Sequence, residues 1–123
     1  IKNMNLNDYQ KLALRTINKE LTAEENLLNA CLGLAGETGE FVDICKKKFF
    51  HGHEFDGTEL VKELGDILWY ISQASFALQS YFMEVDKFTL EAIAKANIEK
   101  LEARYQGQFS SEKSINRFEN RDD

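Results

Sequence analysis

Two pairs of acids in this chain share one spacing: Glu37 with Glu40, and Glu63 with Asp66. On a helix that spacing sets two carboxylates about 4.5 Å apart along the axis, on one face. Their neighbours are apolar. At spacings of three, four and seven, Glu37 meets Ala30, Leu34, Phe41 and Ile44, and Glu40 stands one turn on, beside Ile44. Glu63 meets Leu60, Ile67 and Tyr70, and Asp66 meets Trp69 and Tyr70. These residues form apolar stripes, so the acids lie on or beside faces expected to be buried. One such pair is common among surface acids of amphipathic helices; two, both embedded in apolar residues, point elsewhere. Carboxylates converging in a bundle repel one another and are costly to desolvate, and a divalent cation supplies the counter-charge.

The residue types narrow the metal. The chain has two histidines, His51 and His53, and no Glu-x-x-His motif, which argues against a di-iron bundle. An all-oxygen ligand set suits Mg²⁺, or Mn²⁺, and not zinc. Gly33, Gly36 and Gly39 recur at a period of three around the first pair, and Gly65 adjoins Asp66. Each interior glycine costs a helix about 1 kcal/mol relative to alanine. Two readings stay open and are compatible: close packing of another helix, or a bare flank that a bulky anion can approach. A further set, Asn97, Lys100 and Arg104, shares one helical face in "ANIEKLEARY". Alone it reads as a solvated face. Opposite a carboxylate–metal cluster it becomes a phosphate clamp, with a point charge, a planar fork and a neutral donor.

Helices must position these groups. There is no proline and little strict alternation, so helix is the default. A first helix is expected from about Leu6 to Asn18. Thr22 with Glu25 forms a capping-box signature for a second, reaching about Lys48. The connection "FFHGHEFDG" follows, and Asp56 or Thr58 starts a third helix to about Tyr81. "MEVDKF" is the next link, with Thr89 capping a fourth helix to about Tyr105. The expected fold is all-α: a four-to-five-helix bundle, oligomeric, with residues 1–105 as one domain and 106–123 as a polar tail or arm without an independent fold.

Composition bounds the function. At 123 residues and 43% hydrophobic, the chain is one globular domain that gains from oligomerisation. Acids outnumber bases 21 to 15, which argues against a nucleic-acid polymer as partner but not against a nucleotide arriving with a divalent metal. No apolar run approaches the ~20 residues of a membrane span and no signal-peptide pattern opens the chain, so a soluble, cytoplasmic protein is expected. The chain opens on Ile1, not Met, and is expected to begin inside a longer polypeptide. Cys31 and Cys45 lie roughly 21 Å apart on one helix, too far to bridge, and read as small buried hydrophobes.

The stretches "GLAGETGEFVD", "KKKFFHGHEFD", "ELVKELGDILWYI" and "ANIEKLEARYQGQFSSEKSINR" resemble the MazG family of all-α nucleoside triphosphate pyrophosphohydrolases. The resemblance implies a helical homodimer or a dimer of dimers that cleaves an NTP or dNTP between the α and β phosphates. It implies Mg²⁺ or Mn²⁺ held by Glu37, Glu40, Glu63 and Asp66, and phosphate contacts from Lys100 and Arg104 with Asn97 beside them. Glu37 or Glu40 is the candidate general base. Some relatives carry a lysine one turn before each acidic pair; here those positions are Gly33 and Glu59. Phosphate charge must then be met by another group, Lys46, Lys47, Lys48 or Lys62 being at hand. The family's "RYP" is "RYQ" at residues 104–106. Within the same fold a narrower dUTP or dCTP hydrolase, or a phosphoribosyl-ATP pyrophosphatase, is the alternative; from another class, a catalytically silent metal-binding dimerisation module.

Other residues carry weaker expectations. Trp69 could stack on a nucleobase, or be a core tryptophan at a dimer interface. Gln10 could read a base edge from an exposed position. His51 and His53 read as solvent-facing, and Phe49, Phe50 and Phe55 are expected to pack on a helix or a second subunit.

Overall fold

The first three α-helices start where a side chain satisfies orphan backbone N–H groups of the first turn. In the computed structural model, which describes residues 3–105 and 111–120, α1 spans Leu6–Ala13 and is opened by Asn5 and Asp8 in a reciprocal capping box. The helix α2, Ala23–His51, starts with the expected box: Thr22 Oγ1 accepts from Glu25 N–H at 3.1 Å, and Glu25 Oε1 accepts from Thr22 N–H at 3.1 Å. It ends at Gly52, whose φ of 72° is the left-handed geometry that glycine adopts without penalty. The helix α3, Gly57–Phe82, is capped by Asp56, which accepts from Thr58 N–H at 2.9 Å. A 3-10 turn at Asp86–Phe88 leads to α4, Leu90–Tyr105. A fifth helix, α5, covers Ser111–Asn120, inside the segment read from sequence as a tail with no fold of its own. Residues 106–110 and 121–123 of that segment lie outside the described residues.

The first helix is shorter than expected. Its α-helical part stops at Ala13 and a 3-10 turn, Leu14–Thr16, replaces the next turn. The cause is tertiary: Trp69 Nε1–H donates to Ala13 O at 3.1 Å and to Thr16 Oγ1 at 2.9 Å. Those bonds tie the tightened turn to α3.

The helices α2 and α3 form an antiparallel pair joined by the short connection 52–56. Matched positions run in opposite senses: Asn26 and Asn29 meet Gln73, Gly33 meets Tyr70, and Glu37 comes beside Glu63. The buried seam is largely polar. Gln73, only 1% exposed, accepts from Asn29 Nδ2 at 2.9 Å and donates to Asn26 Oδ1 at 3.1 Å. Gln10 is likewise buried, which corrects the expectation of an exposed residue reading a base. Its Nε2 donates to Ser72 O at 3.2 Å and Ser75 Oγ at 2.8 Å, and its Oε1 accepts from Leu90 N–H at 3.1 Å. Satisfied buried amides tolerate few alternative pairings, so they hold the helices in one register.

Apolar side chains tell the complementary story. Leu28, Leu32 and Val42 on α2 and Val61 and Leu64 on α3 are all more than half exposed in the single chain. Cys31 is exposed as well, and only Cys45 is partly covered, against the expectation that both are buried. Of the three phenylalanines around the connection, Phe49 and Phe55 pack on each other with ring centroids 5.6 Å apart, and all three are exposed in the single chain. No helix among the described residues is long and apolar enough to cross a membrane. By internal contacts the chain divides into two units, Ile1–Leu90, carrying the helical pair, and Glu91–Asp123, carrying α4 and α5.

Candidate functional site

The register of α2 and α3 decides which acids meet. Carboxylate oxygens of Glu37, Glu63 and Asp66 lie within 4.8 Å of one another. Glu37 and Glu63 are half-buried; Asp66 and Glu40 are exposed. Glu40 is outside that trio and instead lines a cleft of about 670 Å³ with Gly36, Gly39, Asp43, Ile44, Glu59, Lys62 and Glu63. The volume is that of an ordinary small-molecule site.

Two oxygens in the trio are orphans. Glu37 Oε2 and Glu63 Oε2 are buried and have no hydrogen-bond partner. A buried carboxylate oxygen without a donor is destabilising unless a proton or a cation reaches it. Glu63 registers the conflict. Its carboxyl is held above the usual carboxylate range, chiefly because it can share a proton with Glu37, then through burial and through the charge of Glu37; Asp66 adds to the rise, and Glu40 pulls the other way by hydrogen bonding. Three hard oxygen-donor groups, two of them with a buried oxygen that no hydrogen bond satisfies, have the chemistry of a divalent-cation site of the Mg²⁺ or Mn²⁺ type, which Glu37, Glu63 and Asp66 could hold.

The glycines separate into two roles. A Cβ at Gly33 would fall 2.2–2.4 Å from the Tyr70 ring, so at Gly33 a side chain of α3 lies too close to α2 for any residue but glycine without a shift. Gly36 and Gly39 have nothing within 4 Å of a built Cβ, and both line the cleft. Tyr70 thus packs against α2 one turn before Glu37, while the α2 wall of the cleft is bare at Gly36 and Gly39.

Trp69 has its indole N–H engaged by Ala13 and Thr16, and its ring stands edge-on to Tyr70, centroids 5.1 Å apart at 87°. These contacts fasten the end of α1 onto α3. Asn97 and Lys100 are exposed on α4 and Arg104 is half-buried there, at the spacings that align them along the helix. His51 and His53 are exposed, as expected. Sequence reading passed over Asp43 and did not place Glu59 in the site, although helical spacing could have found both. Asp43 continues the row of Gly36, Gly39 and Glu40, and Glu59 precedes Glu63 by one turn.

No curated protein and no solved structure gave a significant match to the chain. The family profile described as the MazG nucleotide pyrophosphohydrolase domain matches residues 25–109, well over half of the 123, taking in α2, α3 and α4. The chain belongs to the MazG nucleotide pyrophosphohydrolase domain family.

Proposed function

We propose that the protein is a metal-dependent nucleoside triphosphate pyrophosphohydrolase, cleaving an NTP or dNTP between the α and β phosphates to the monophosphate and pyrophosphate in the cytoplasm. The observation that carries this reading is the trio Glu37, Glu63 and Asp66 beside the cleft, with two buried carboxylate oxygens lacking partners. Mg²⁺, or Mn²⁺, supplies neutralisation of the charge that develops on the phosphate oxygens. Glu37, Glu63 and Asp66 hold it. Glu40, on the cleft wall but outside the trio, takes the proton of the attacking water as general base. Asn97, Lys100 and Arg104 bind phosphate oxygens. Trp69 ties α3 to the end of α1 through its indole N–H, whereas stacking on a nucleobase would use the face of its ring.

A homodimer, or a dimer of dimers, is part of the proposal. The exposed stripe of Leu28, Leu32, Val42, Val61 and Leu64 is the kind of surface that a second copy covers. Pyrophosphate release from NTPs, dNTPs and modified nucleotides, with Mg²⁺ and with chelator, tests the activity. Release that chelator abolishes, and that Asp66→Asn lowers on the order of a hundredfold, is the expected result. Confinement to dUTP, dCTP or phosphoribosyl-ATP would assign a narrower hydrolase. Chelator-sensitive melting without any turnover would replace the proposal with a silent metal-binding dimerisation module.

A further inference from the structure

The cleft offers little to a nucleobase. Its lining contains one apolar side chain, Ile44, and no aromatic ring; the rest is glycine and charge. A base seeks an apolar or aromatic face, whereas a phosphate seeks cations, donors and room. From the acidic trio the lining runs along α2 toward Ile44 and along α3 back to Glu59, toward the connection. In the other direction, Tyr70 packs over Gly33. The open end therefore suits the phosphates beyond the scissile bond.

Four acids line this cleft, Glu40, Asp43, Glu59 and Glu63, against one cation, Lys62. Two other lysines nearby are committed. Lys46 and Lys47 place their ammonium groups 3.4 and 2.9 Å from Asp43, whose carboxyl these partners hold below its usual range, and neither lysine lines the cleft. Lys62 is exposed, and no ion pair among the described residues holds it. It faces the cleft from α3, and the α2 wall is bare at Gly36 and Gly39, where even a Cβ would meet nothing within 4 Å.

We propose that Lys62 binds the pyrophosphate portion of the substrate, its ammonium group paired with the phosphates lying along the Gly36–Gly39 wall. The assignment rests on the pyrophosphohydrolase reading above. It makes Lys62 a substrate-binding residue that distinguishes the pyrophosphate half from the nucleoside half.

Calorimetric titration of the full chain tests it, using magnesium pyrophosphate and, separately, a panel of nucleoside monophosphates. Lys62→Ala should weaken pyrophosphate binding roughly tenfold or more, the effect of losing one charge-assisted hydrogen bond. Monophosphate binding should stay unchanged and Lys62→Arg should retain most of the pyrophosphate affinity. Because Lys62 is exposed, melting of the alanine variant in chelator should match the wild type. Equal affinity of wild type and Lys62→Ala for pyrophosphate, or equal weakening of both ligands, overturns the assignment alone. A wild-type chain that binds no magnesium pyrophosphate overturns the underlying reading and the assignment with it.

Discussion

Alanine at Gly33 and alanine at Gly36 should have opposite effects, although the two glycines lie one turn apart on the same helix. Both substitutions gain helix propensity of about 1 kcal/mol. At Gly36 the new methyl group meets nothing within 4 Å, so the gain stands unopposed. At Gly33 it falls 2.2, 2.3 and 2.4 Å from Tyr70 Cε1, Cδ1 and Cζ. Carbon atoms settle at roughly 3.5–4.0 Å, so the ring must retreat by about 1 Å or more. It has little freedom to do so. Its neighbour Trp69 is in edge contact at 5.1 Å and is itself held by Ala13 and Thr16. Overpacking of this kind costs about 1–3 kcal/mol. The propensity gain is common to both variants and cancels in their difference. Gly36→Ala should therefore exceed Gly33→Ala in stability by about 1–3 kcal/mol, or roughly 3–10 °C in melting temperature for a chain of this size. Urea unfolding in chelator, with equal slopes for the two variants, gives the comparison. Gly33→Ala as stable as Gly36→Ala would refute the close approach at Tyr70. Gly36→Ala should nevertheless lose activity, because its methyl group narrows the cleft.

The raised carboxyl of Glu63 fixes the sign of a pH effect. A carboxyl whose folded value lies above the ordinary 4.5 contributes stability that is complete below that value and is lost as pH rises through the folded value. Chelated wild type should therefore lose melting temperature over that window relative to Glu63→Gln, and Mg²⁺ at neutral pH should restore it to the wild type alone; parallel pH curves for the two proteins would contradict the coupling of Glu63 to Glu37. Gln10→Ala should cost about 2–4 kcal/mol, since it leaves the Leu90 N–H without its bond inside the fold and opens a cavity at a residue only 5% exposed. Chemical denaturation measures it, and a loss below about 0.5 kcal/mol, the range of surface substitutions, would show that Gln10 is not the clamp described.

The features legible from residue order alone are local. The start of α2 at Thr22 and of α3 after Asp56 rest on side chains bonding N–H groups two or three residues away. The apolar period over those helices, and the pairing of acids at three-residue spacing, are likewise properties of neighbours on one helix. Tertiary structure decided the rest. Gln10 looked exposed because its partners, Ser72, Ser75 and Leu90, are 62, 65 and 80 positions away. The first helix tightened into a 3-10 turn because a tryptophan on another helix reaches its last carbonyl. Spacing left Glu37 and Glu40 equivalent. The antiparallel register, held by Asn26, Asn29 and Gln73, sets Glu37 against Glu63 and Asp66 and leaves Glu40 on the cleft wall. The same register leaves Lys62 facing the cleft, while Lys46 and Lys47 are drawn to Asp43. Spacing along one helix orders the side chains on that helix; the distance between two helices depends on buried contacts that no single segment contains.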